Sequence, residues 1–112
     1  MPRPLIALLT AVAVVALAPS AAQAGACTPV KNPYAGTRYE GVDLTRVRAE
    51  GVRCPTARRV ARKAHRKALG MPLPPDGIRR FRWRGWRVRG DLRPDKDRYV
   101  ARKGERRVRW RF

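Results

Sequence analysis

The chain ends in RVRWRF, a run in which a cation alternates with an apolar side chain at every step. Successive side chains of a strand point to opposite faces, whereas a helix returns to the same face every three to four residues. Only a strand therefore separates Val108, Trp110 and Phe112 from Arg107, Arg109 and Arg111. The fold must contain a sheet with one apolar face, and its other face must hold arginines in water. The stretch RRFRWRGWRVRG, residues 79–90, carries the same chemistry with one irregularity. Phe81 and Trp83 share one parity and Trp86 and Val88 the other, with the change at Arg84-Gly85. A strand bent at a glycine bulge accounts for that reversal, and a helix does not.

The apolar material is scarce and the charge is extreme. The 112 residues hold 27 Lys and Arg against 8 Asp and Glu, a formal net charge of +19. Near the N-terminus Arg3 precedes an apolar stretch from Leu5 to Ala18, followed by Ala22-Gln23-Ala24 ahead of Gly25. This layout predicts an export leader over residues 1–24, cleaved after Ala24, and hence a secreted or extracytoplasmic protein. A domain of the remaining size buries little core and gains from a covalent staple. Cys27 and Cys54 are the two cysteines, and an even count in an exported chain predicts one disulfide between them. Closing that loop contributes roughly 3 kcal/mol by chain entropy. The competing reading is a lipid on Cys27, behind the small residues Ala24-Gly25-Ala26. It would leave Cys54 without a partner, and the usual leucine three places earlier is missing.

Residues 25–42, GACTPVKNPYAGTRYEGV, read as an extended N-terminal arm, and 43–112 as a small α+β domain. Val47 and Ala49 alternate with Arg46, Arg48 and Glu50 as a half-buried strand, with a bulge expected at Gly51. CPTARRVARKAHRKALG, residues 54–70, is a helix: Pro55 suits its first turn and Gly70 its stop. Ala57, Val60, Ala61, Ala64 and Ala68 form its apolar stripe, and Arg58, Arg59, Arg62, Lys63, Arg66 and Lys67 its basic face. MPLPPDG is a connector, DLRPDKD a loop, and RYVARKGERRVRWRF a hairpin turning at Lys103-Gly104, with Tyr99 opposite Val108. The expected fold is a small antiparallel sheet of three to four strands with one helix packed on a face.

VRAEGVRCPTARRVARKA, the RGWRV strand and the terminal RYVARKGERRVRWRF hairpin together resemble a group of small exported proteins of unknown function from high-GC Gram-positive bacteria. The resemblance spans roughly residues 44–112. Val88 and Val100 stand near the positions where that group carries strand cysteines. The resemblance implies an exported domain and no particular activity.

Little in the chain suggests chemistry. His65 is the only histidine, lies beside Arg66 with no acid near in sequence, and reads as an exposed surface residue. The cysteines lack metal or redox spacing. Asp91, Asp95 and Asp97 do not follow a calcium-loop pattern and read as turn formers pairing with nearby arginines. We therefore expect no enzyme, no cofactor, no metal and no small-molecule substrate. The expected activity is non-specific binding of anionic envelope polymers, anionic lipids or extracellular nucleic acid through arginine clusters. The candidates are Arg58, Arg62 and Arg66 on the helix and Arg107, Arg109 and Arg111 on the last strand, each trio projecting from one side of its element. A membrane-active cationic protein and a structural module with no polymer ligand are the alternatives. Burial of Trp83, Trp86 and Trp110 discriminates among them, because insertion into lipid and base stacking both need exposed rings.

Overall fold

The computed structural model describes residues 25–93 and 95–112 together with Thr10. The expected leader, Thr10 apart, lies outside the described residues. In chain order the elements are β1 (Gly25–Ala26), β2 (Thr45–Glu50), α1 (Cys54–Leu69), β3 (Ile78–Trp83), β4 (Trp86–Asp91), β5 (Arg98–Lys103) and β6 (Arg106–Arg111). All strands pair antiparallel in one six-stranded sheet, ordered β1-β2-β6-β5-β4-β3.

Six strands correct the expectation of three to four, and the difference has identifiable causes. The parity reversal at Arg84-Gly85 is a turn, where a bulge was expected. Both residues have positive φ, +44° and +80°, as the two central residues of a type I′ hairpin require. Trp83 then pairs with Trp86 and Phe81 with Val88. The change of parity is what keeps these four side chains on one face once the chain folds back. In addition, β4 continues to Asp91, which pairs with Arg98 of β5, so the expected loop begins later. Finally, Gly25 and Ala26 add an edge strand against Ala49 and Arg48.

Two registers also move. The terminal hairpin turns at Gly104-Glu105, so Tyr99 faces Trp110 and Ala101 faces Val108. The bulge in β2 lies between Thr45 and Arg48, with Arg46 at φ +49°, and not at Gly51.

The helix presents Ala57, Val60, Ala61, Ala64, His65 and Ala68 to the sheet. Its basic last turn, Arg66 and Lys67, suits the negative end of the helix dipole. It touches β2, β6 and β3. Flat, β2 and β3 would lie about 19 Å apart at ~4.8 Å per strand, wider than a helix of about 10 Å. The sheet therefore curls around α1. Small alanines allow the close approach, and the sheet supplies the bulk. Leu44, Val47, Val88, Tyr99, Val108 and Trp110 are all buried. Tyr99 stacks on Trp110 with ring centroids 5.3 Å apart and planes 2° from parallel. The stack is possible because Gly90 sits opposite Tyr99; a Cβ there would stand 2.4 Å from the ring.

The segment before β2 belongs to this core. Val30 and Leu44 exchange backbone hydrogen bonds of 3.0 Å, and Tyr34 is buried beside the helix. The Cys27–Cys54 disulfide is formed and fastens the segment to the start of α1.

Candidate functional site

Strand register places arginines from five strands side by side on the sheet face turned away from α1. Reading across β2, β6, β5, β4 and β3, one row is Arg48, Arg109, Val100, Arg89 and Arg80. The next is Glu50, Arg107, Arg102, Arg87 and Arg82. Beyond the first row lie Arg111, Arg98 and Asp91. Ten arginines thus share one face, about 4.8 Å apart across strands and roughly 6.6 Å apart along them.

Few of these charges are neutralised. Arg107 pairs with Glu50 at 3.0 Å and Arg80 with Asp76 at 3.1 Å. The other eight have no carboxylate partner among the described residues. Asp91, at the rim, is taken by Arg93 at 2.9 Å, whose hydrogen bonds hold its carboxyl at about 2. Like charges directly opposite across strands are unfavourable. Arg111 registers the crowding: partial desolvation, then repulsion from Arg46 and Arg98, lower its proton affinity.

The trio Arg107, Arg109 and Arg111 is therefore one column of a wider array. Arg48, Arg80, Arg82, Arg87, Arg89, Arg98 and Arg102 complete it. The alternating parity of each strand carried that information, but only with the strand order does it become a surface.

The helix trio divides. Arg62 and Arg66 are exposed, together with Arg59 and Lys63, on the side of α1 away from the sheet. Arg58 is half-buried and donates to the Pro29 carbonyl at 3.3 Å, so it anchors the N-terminal segment. Lys67 donates to the Arg82 carbonyl at 2.6 Å, at the free edge of β3. Arg62 and Arg66 thus lie on the opposite side of the domain from the strand trio, and Arg58 on neither face.

The aromatics face inward. Trp86 and Trp110 are 5% and 1% exposed, and Phe81, Trp83 and Phe112 are half-buried against the core. Among the described residues the exposed large hydrophobic side chains are Val42 and Leu73.

His65 is fully buried, which corrects its reading as a surface residue. It stands four residues after Ala61 and three before Ala68, so the helical spacing places it on the inner face. His65 shares a hydrogen bond with the Tyr34 hydroxyl through Nδ1. Its ring packs against Phe112 and Tyr99, with centroids 4.3 Å and 4.9 Å away. Burial, then the nearby Arg79 guanidinium, push its pKa down to about 3, so the ring is neutral at physiological pH. Burial raises Tyr34 well above the ordinary phenol range. Arg79 is the one inward arginine of β3, donating to the Tyr99 hydroxyl at 3.0 Å and the Met71 carbonyl at 3.4 Å. His65 Nε2 and Arg79 Nε are buried without a hydrogen-bond partner among the described residues, and Tyr34 lines a cavity with Arg38, Tyr39 and Arg66. The chain matches no protein-family model, no curated protein and no solved structure.

Proposed function

We propose that this is a non-enzymatic, extracytoplasmic protein that binds anionic polymers through the arginine face of its sheet. The observation that supports the reading most is the array of ten arginines, eight without a carboxylate partner among the described residues. Such an array costs the free fold stability by repulsion, and a polyanion laid across it relieves that cost while releasing counterions. Guanidinium groups take phosphate oxygens in bidentate fashion, so the reading favours phosphate-bearing polymers. Base stacking and lipid insertion are disfavoured, since both need rings on the surface, and Trp86 and Trp110 lie in the core while Trp83 is half-buried against it. The disulfide suits an oxidising compartment. It also disfavours a thioether lipid on Cys27, because one sulfur cannot carry both bonds.

The test is a titration of the disulfide-bonded protein with long-chain inorganic polyphosphate and with single-stranded DNA of two base compositions, over a range of sodium chloride. Affinity is expected to fall linearly on a double-logarithmic salt plot, with a slope of about −0.7 per phosphate contacted on the single strands, and to ignore base composition. Binding that tracks base composition, or that is insensitive to salt, would overturn the proposal.

A further inference from the structure

The polyanion reading concerns one face, but the fold has two. Arg59, Arg62, Lys63 and Arg66 line the outer side of α1, and no ion pair reaches any of them among the described residues. The array of ten arginines lies on the far side of the sheet. Between them stand the apolar stripe of the helix and the inner face of the sheet, both fully packed. The two layers measure roughly 10 Å each, so the charged surfaces are about 20 Å apart. That exceeds the Debye length of about 10 Å at 0.1 M salt. A polymer bound on one face neither covers nor neutralises the other.

The acids reinforce the division. Asp76 and Asp91 sit at the margins of the sheet, each held by an arginine, and Asp43 is held by Lys31 in the segment before β2. No acidic residue lies on the helix at all. The perimeter is thus partly neutralised while both faces stay basic. A linear chain gains less by wrapping round an edge where cations and carboxylates are mixed than by lying on one face.

We infer that one copy of the domain bridges two segments of linear phosphate polymer, one on the sheet face and one on the helix face. The inference rests on the polyanion reading and adds a role to it: cross-linking or condensing the polymer rather than coating it. The sheet face is the stronger site, having more than twice the cations and a rigid, two-dimensional layout. The helix face is a single stripe, whose residues recur at three- and four-residue spacing along one side.

A sandwich assay separates bridging from binding. Long-chain polyphosphate is immobilised, loaded with the protein, washed, and offered fluorescent polyphosphate in solution. The wild-type protein is expected to capture the second strand, and sedimentation should show it to be a monomer. The helix-face variant Arg59→Gln, Arg62→Gln, Lys63→Gln, Arg66→Gln is expected to stay on the immobilised strand and to lose second-strand capture. Glutamine is a good helix former and these positions are exposed, so the fold is retained, as circular dichroism checks. A charge-matched control, Arg38→Gln, Arg53→Gln, Arg84→Gln, Lys96→Gln, alters cations off both faces and is expected to keep bridging. Wild-type protein that binds the first strand but never captures a second would overturn the bridge while leaving the polyanion reading intact. So would capture by the helix-face variant at the wild-type level, or capture carried by a dimer. No binding to the immobilised strand at all would instead overturn the polyanion reading.

Discussion

His65 is held in its neutral form by the fold. Burial among aromatic rings, then repulsion from Arg79, holds its native pKa at about 3 against an ordinary 6.5. Between those values the unfolded chain holds one more proton than the native one, and stability therefore rises with pH. The contribution is fully present above 6.5 and is lost as pH falls toward about 3. Its limiting slope is about 1.4 kcal/mol per pH unit. Asp97 acts in the opposite sense, because burial raises its carboxyl. Asp91, held at about 2 by Arg93, joins lower still. The urea midpoint is therefore expected to drop between about pH 7 and about pH 5, and to stay level over that window in a His65→Phe variant. A level midpoint in the wild type would mean that His65 titrates natively. Nothing in the sequence names Tyr34 as the partner, since it lies 31 residues away in a segment without regular pattern. The position of His65 beside Ala61, Ala64 and Ala68 was legible, and its cationic neighbours along the chain concealed it.

At the scale of elements, the β3–β4 hairpin carries a visible strain. Arg84 adopts φ +44°, a left-handed conformation that costs a side-chain-bearing residue about 1–2 kcal/mol. Asn-Gly is the favoured pair for this turn type. Arg84→Asn would lose the guanidinium that sits 5.6 Å from the Trp83 ring, a contact worth about 0.5–1 kcal/mol when exposed. The net expectation is a gain of about 0.5 kcal/mol, read as a higher denaturant midpoint at unchanged slope. A lower midpoint would show that the contact with Trp83 outweighs the backbone strain. The same turn explains what was hidden in the sequence. Periodicity reports the face on which a side chain lies, but it reports a reversal of the chain and a bulge by the same change of parity. Arg-Gly is not a recognised turn pair, so the hairpin was invisible and the strand count came out low. The helix had caps and a stripe to mark it. The last strand had six alternating residues. The arm before β2 had only Val30 and Tyr34, and their burial depends on the disulfide and on contacts that no local pattern encodes.

The whole molecule is organised around charge that has nowhere to go. A formal +19 is carried with 8 acidic residues in the entire sequence, and the fold sets arginines directly opposite one another: Arg48 and Arg109, Arg107 and Arg102, Arg87 and Arg82. The apolar side of the same strands requires this. Once Trp110, Tyr99, Val88 and Val108 turn inward around the helix, every alternate residue of β2, β4, β5 and β6 must turn outward together. Self-repulsion is thus coupled to core formation, and screening should relieve it. The melting temperature is expected to rise when sodium chloride is increased from about 0.05 M to about 0.5 M, the reverse of a fold held together by surface ion pairs. Polyphosphate at low salt is expected to raise it further, at phosphate concentrations far below those of the salt, because a ligand that binds only the folded array stabilises by mass action. Differential scanning calorimetry reads both effects. Neutralising the sheet face by Arg87→Gln, Arg89→Gln, Arg98→Gln and Arg102→Gln should raise the low-salt melting temperature and shrink the response to each additive. If the salt response survives that change in full, the repulsion lies elsewhere in the molecule and the arginine face is not its source.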